Sequence, residues 1–549
     1  MPIGISLVPV PPPEPSCTHQ RILKAAPGHG ASPKNRTGYE SPLEALMTKN
    51  GQSTLSFVSR REALKTLGAS WLGASVTGLN SGPLELALDS EARGAQDQPE
   101  LLIQGGEVVN ADGVQNADVR VAGELITEVG PGLVPGPGAR VLDAKNKLVM
   151  PGGIDPHTHL HPSFVDDFTT GSSAALAGGI TTVGTFSSVR EGEGPLDALD
   201  RMEERVRAEA IADVILHTSK WPPTPEYLDS LPGLVERGQP SIKIFMLWRD
   251  FGGHLGEVIE LLETARDAGV VTMIHCEDEA LLKATSQRMT EEGRTSLRHY
   301  AESRPVVVEA VATQQAVSLC EITRAPMQVV HLSSRRALQA CRNRDTEGLP
   351  LFVEVRPMYL YLTEERFSGP DGPLYVGQPP LRTPEDQEAL WDGIRSGAAD
   401  LIATDHAPWT RTQKLDPNLS INRLRPGISS LQFMLPMFFS EGVLKRGISL
   451  ERFVDLTSTK SARIMGLYPK KGVIQPGSEA DIVVFDPGKT SDIRAEDDFS
   501  RSDFSVYEEW SITGWPSVTI RRGQVVYENG RITAHPGEGK LAFREAWRG

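Results

Sequence analysis

The stretch PGGIDPHTHLH (151–161) sets His157, His159 and His161 at alternate positions, in a chain with 12 histidines among 549 residues. On an extended backbone alternate side chains share a face, so two or three imidazoles converge on one centre. Neutral imidazole is a ligand for zinc-like ions. A His-x-His pair alone fits a polar loop equally well, so other residues must decide. Lys243 interrupts SIKIFML (241–247), His275 falls near the end of VVTMIHCE (270–277), His331 breaks MQVVHLS (327–333) and Asp405 breaks LIATDHAP (401–408). A lysine or carboxylate in such a run is unfavourable unless it is paired or metal-bound. With six polar residues placed this way, His157 and His159 read as the first two ligands of a metal site.

These residues need a frame that ends many strands on one face. Eight strand-like runs begin near 153, 180, 212, 241, 270, 327, 351 and 401, separated by amphipathic stretches such as LGEVIELLETARDAG (255–269). Eight β-then-α units are the count of a TIM barrel, whose chemistry gathers at the C-terminal ends of its strands. The barrel is expected over 151–470. Segments 101–150 and 471–532 instead carry short β-rich runs between Gly, Asn and Asp turns, and predict a small β-sandwich built from both ends of the chain. Residues 533–549 form a C-terminal tail.

A length of 549 residues exceeds one ordinary compact core. The net charge of −15 argues against nucleic acid or an anionic membrane surface as partner. Cys17, Cys276, Cys320 and Cys341 show neither CxxC nor paired spacing, so no disulfide framework or cysteine-zinc site is expected. Residues 1–58 read as a disordered extension. SRREALKTLGASWLGASVTGL, from 59, resembles a twin-arginine export signal, expected over 59–95, with Ala63 where that pattern has Phe. Its apolar stretch is too short for a stable membrane anchor. The expected location is the periplasm, with the cytoplasm as the alternative.

The motifs PGGIDPHTHL, VDDFTTGSSAALAGGITTV (165–183), SIKIFM, HLSSRRALQA and SARIMGLYPKKGVIQPGSEADIVVFDP (461–487) resemble those of the amidohydrolase superfamily, in its cyclic amidase branch of D-hydantoinases and dihydropyrimidinases. The resemblance runs from about 101 to 532 and implies two Zn²⁺ or similar divalent ions. His157, His159 and Asp405 would bind the first and His275 and His331 the second, with Lys243, carboxylated by carbon dioxide, bridging them. Hydroxide generated between the ions would attack a ring amide, and Asp405 would carry the proton to the leaving nitrogen. The resemblance implies a small cyclic amide or ureide substrate and a homo-oligomer, a tetramer in relatives. It gives His161 and His217 no ligand role, and His406 is expected to be structural or to support a ligand.

Departures fall on the groups that read the substrate. Trp248 stands where the family has a tyrosine that helps hold the oxyanion. Val355-Arg356-Pro357 replaces a Thr-Cys-Pro type sequence, and Asn422 in NRLRPG (422–427) lies one position from the family's asparagine. Trp248, Arg356 and Asn422 are therefore the expected substrate-contacting residues. Arg356 would meet an acidic substituent on the ring or else turn outward to a surface glutamate. Alternatives are an allantoinase- or dihydroorotase-like ring opener and a non-catalytic dihydropyrimidinase-related scaffold, which would lack metal ligands.

Overall fold

The computed structural model describes residues 100–549. The expected extension (1–58) and export signal (59–95) lie outside the described residues. Seventeen strands occur among the described residues, and they fall into two sheets.

Eight parallel strands form the barrel: β6 (Gly153–Asp155), β7 (Ile180–Ser188), β8 (Asp213–Ser219), β9 (Ser241–Phe245), β10 (Val271–His275), β11 (Met327–Val329), β12 (Leu351–Val355) and β13 (Leu401–Ile402). All eight expected runs are strands. β11 and β13 stop short of their runs because the backbone leaves the extended region just beyond them, with φ of 41° at His331 and 48° at Asp405. The seam between first and last strands is closed by a bridge from Thr158 to His406 and by His159 N–H donating to His406 O at 2.7 Å.

The helices outside the barrel follow their apolar spacing. Helix Leu255–Ala268 buries Val258, Leu261, Leu262 and Ala265, an i, i+3, i+4, i+7 stripe, and ends where Gly269 takes φ 72°. Each fully buried Leu or Val there contributes about 1.5–3 kcal/mol. Helix Phe168–Ala177 starts at Asp167, whose side chain accepts the Thr170 N–H in a reciprocal capping box.

The second sheet draws on both ends of the described chain. β1 (Leu101–Asn110), β2 (Gly113–Ala122), β3 (Leu125–Gly130), β4 (Arg140–Asp143) and β5 (Leu148–Pro151) precede the barrel; β14 (Ile482–Asp492), β15 (Ser511–Arg521), β16 (Gln524–Glu528) and β17 (Arg531–Ile532) follow it. β5 and β14 join the halves antiparallel, with Pro151 opposite Ile482 and Val149 opposite Val484. The β unit is one continuous mixed sheet of nine strands. Its own core includes Ile103, Val119, Val149, Ile482 and Ile520. Asn110 fixes the join by donating to Ile474 O at 3.0 Å and accepting Ile474 N–H at 2.8 Å.

Beneath the barrel, Lys471 Nζ sits between Asp213 (2.8 Å), Glu479 (2.9 Å) and Asp481, and Arg522 Nε lies 3.2 Å from Asp213. The three carboxylates are close enough together to hold a cation, and the lysine supplies one. The tail runs under β8: Leu541 bridges Val214, and the buried Arg544 donates to Leu216 O at 2.9 Å and Ser241 Oγ at 2.8 Å.

Candidate active site

Strand ends set the site. Asp155, the last residue of β6, accepts the His157 N–H at 3.0 Å and, through its other oxygen, the Thr404 N–H at 3.1 Å and the Thr404 hydroxyl at 2.5 Å. One buried carboxylate thus ties the first strand to the eighth and brings Asp405 to the two histidines. His159 Nε2 lies 2.9 Å from Asp405 Oδ1 and His157 Nε2 lies 3.4 Å from it. Positive φ at a non-glycine residue is uncommon and costs about 1–3 kcal/mol; at His331 and Asp405 it accompanies a turn out of the strand.

Lys243, from β9, is fully buried with Nζ 3.4 Å from His157 Nε2. Burial pulls its ammonium down to about 8, against the opposing pull of Glu354 and Asp405. Across the site His275 Nδ1 and His331 Nε2 face each other at 2.9 Å. Burial holds His157 and His331 well below the ordinary histidine range, so both are neutral. Burial also raises Asp405, but Arg356, His157 and His159 outweigh it and hold the carboxyl well below its usual value. The six residues expected as ligands therefore lie together: three imidazole or carboxylate donors with the lysine in one group, two facing imidazoles in the other.

Two carboxylates not foreseen from the sequence orient these rings. Glu354 Oε1, in β12, accepts the His331 backbone N–H at 2.9 Å and lies 2.8 Å from His157 Nδ1. A proton on His157 Nδ1, donated to Glu354, leaves the Nε2 lone pair facing Asp405 and Lys243. Glu277 Oε2 lies 2.9 Å from His275 Nε2 and accepts from Arg304 at 2.6 Å. Burial raises Glu277, but Arg304 and His275 bring it to about 2. Carboxylate–histidine pairs of this kind orient metal ligands and raise their basicity. The donor set of imidazoles, one carboxylate and a lysine with a lowered pKa fits divalent ions of the zinc type.

His217, His406 and His161 have other partners. His217 lies 2.8 Å from Pro156 O and 2.6 Å from Ser241 Oγ. A β-carbon on neighbouring Gly184 would lie 2.3 Å from Pro156 O, so that close approach requires glycine. His406 lies 2.9 Å from Asp166 and accepts the Ser430 N–H, while His161 pairs with Ser163 in its own loop.

The expected substrate residues divide. Trp248 follows β9, half-buried, its ring 4.6 Å from Phe245, which lies 5.5 Å from His275. Arg356 corrects both expectations made for it. It neither reaches across the ring nor turns outward; it is fully buried behind Asp405, with Nη1 3.0 Å from Oδ2 and Nε donating to Thr404 O at 3.2 Å. The carboxylate and the carbonyls of the 404–405 turn draw the guanidinium inward. Asn422 is also displaced from its expected place: its amide donates to Thr290 Oγ1 at 2.8 Å on an outer helix. Gly427, at φ 112° against Ala407, fixes the loop so that Arg425 lies over Trp409.

A sequence profile of the amidohydrolase family matches residues 148–526. A D-hydantoinase of Ralstonia pickettii is 33% identical over 460 residues, covering 82% of this chain and 100% of the relative. A D-phenylhydantoinase of Escherichia coli O1:K1 / APEC is 32% identical over 457 residues, covering 81% and 98%. The solved D-hydantoinase (dihydropyrimidinase) from Thermus sp. superposes with a TM-score of 0.78 at 33% identity, covering 81% of this chain and 99% of that one.

Proposed function

This chain belongs to the amidohydrolase family, and from that premise we propose that it hydrolyses the ring amide of a hydantoin- or dihydropyrimidine-type cyclic substrate. The observation that carries this reading is the convergence of His157 Nε2, His159 Nε2, Asp405 Oδ1 and Lys243 Nζ opposite the facing nitrogens of His275 and His331. His157, His159 and Asp405 would hold one divalent ion, zinc or similar, and His275 and His331 a second. Bound ions supply Lewis acidity, lowering the pKa of a water and polarising the ring carbonyl.

The protein's own groups do the rest. Burial favours the neutral amine of Lys243. That amine can attack carbon dioxide, forming an N–C bond and releasing one proton, so the neutral amine becomes an anionic carbamate with two oxygen donors. Glu354 and Glu277 keep the lone pairs of His157 and His275 turned inward. Asp405 has Oδ2 held by Arg356 and Oδ1 facing the site, where it takes the proton of the attacking water and passes it to the departing ring nitrogen.

The test is a panel of five- and six-membered cyclic ureides and imides, assayed for ring opening alongside the divalent metal content of the same protein. Ring opening that disappears on chelation and returns with added metal is expected. A protein carrying about two ions per chain that opens no ring in the panel would overturn the reading.

A further inference from the structure

Beyond the ligands, the wall that continues from Asp405 ends in a cation. Phe164 lies 5.4 Å from the His159 ring, Trp409 meets Phe164 edge-on at 5.0 Å, and the Arg425 guanidinium lies 4.9 Å from the Trp409 ring centre. This row is held in place. Trp409 Nε1 donates to Pro426 O at 2.8 Å, and the buried Lys414 ammonium donates to the carbonyls of Val376, Arg425 and Gly427. Arg425 is half-buried, its Nε is buried with no hydrogen-bond partner, and it forms no ion pair among the described residues. Asp416, the carboxylate that feels its charge, is engaged by Asn418.

An indole satisfies the face of a guanidinium and leaves its edge donors open. Those donors form a planar fork matched to a carboxylate. We propose that Arg425 determines specificity by binding an anionic group at the far end of an aromatic substituent on the ring substrate. The substituent lies along the half-buried Phe164, with the buried Trp409 backing the Arg425 guanidinium that its carboxylate meets. This rests on the cyclic-amide reading of the site.

Two hydantoins that differ by one carboxylate test it, 5-phenylhydantoin and 5-(4-carboxyphenyl)hydantoin, with the metal-loaded full chain and its Arg425→Gln and Arg425→Lys variants. In Arg425→Gln the ratio of KM for the charged to the neutral substrate rises at least tenfold, and Arg425→Lys recovers part of it. Binding of the two ring-opened N-carbamoyl products is measured by calorimetry in parallel. The charged product binds wild type more tightly and loses that advantage in Arg425→Gln. Equal changes on both members of a pair, or binding of neither product, would overturn the role of Arg425. If neither hydantoin is opened, the cyclic-amide reading fails, while the calorimetry still decides on Arg425.

Discussion

Arg356 Nη1 lies 3.0 Å from Asp405 Oδ2, while Asp405 Oδ1 lies 2.9 Å from His159 Nε2. One carboxylate is divided between a fixed cation behind it and the histidines in front, so its orientation is set from both sides.

Arg356→Met should therefore act through Asp405. Removing one partner of a buried pair costs about 3–5 kcal/mol, so Tm falls. The turnover number kcat should fall equally for neutral and anionic hydantoins, measured side by side. A loss confined to the anionic substrate would return Arg356 to the substrate pocket.

Lys243→Ala removes the amine beside His157 that the proposed carbamate bridge requires. Bound metal, measured by elemental analysis, should drop below one ion per chain, with activity lost alongside it. Short carboxylic acids in excess should restore part of the turnover by standing in for the missing oxygens. Unchanged metal content would exclude the bridging role.

Asp405→Asn keeps the shape of the side chain but cannot accept a proton. A lost general acid–base group reduces rate by roughly 10²–10⁴-fold, and kcat should fall in that range while circular dichroism is unchanged. A variant within a few-fold of wild type would move proton transfer to another group.

Glu277→Gln leaves a neutral partner between Arg304 and His275. Loss of such an orienting carboxylate typically costs about 10–100-fold in metal affinity or activity. If two ions bind as proposed, metal titration of the apo-protein should show the one held by His275 weakened. Equal weakening of both ions would indicate a general loosening of the barrel instead.

Lys471→Met leaves Asp213, Glu479 and Asp481 buried together without their cation. Burial raises Asp213, but Lys471 and Arg522 hold it well below the usual range. That stabilisation is present above the unfolded carboxylate pKa and is lost as pH falls through the folded value. The Tm deficit of the variant should be large at pH 7 and shrink below about pH 4 as the carboxylates protonate. A deficit independent of pH would point to lost packing alone.

The eight barrel strands and six candidate ligands were legible because polar residues interrupt otherwise apolar runs. Glu354 breaks LFVEV in the same way as Lys243 breaks SIKIF. It carries the same signal, and a rule restricted to strand-end histidines and the lysine misses it. Glu277 and Arg304 come from separate segments and meet only in the fold. Arg356 shows a different limit. Its place one residue past β12 is legible, but the inward direction of its side chain depends on the Asp405 turn, 49 residues later in the chain. Asn422 depends likewise on the anchoring of Gly427 against Ala407.

The pair Asn110 and Ile474 exchanges its hydrogen bonds across 364 residues of chain. During synthesis, the five N-terminal strands of the second sheet and every barrel strand emerge before β14 exists. Until then β5 presents an open edge, the kind of surface that pairs with other chains. Closing so long a loop precedes any gain from the contacts it makes, which slows folding. Completion of the second sheet therefore waits for β14 to β17. A chain that stops before residue 482 lacks β14 and leaves this edge of β5 uncovered.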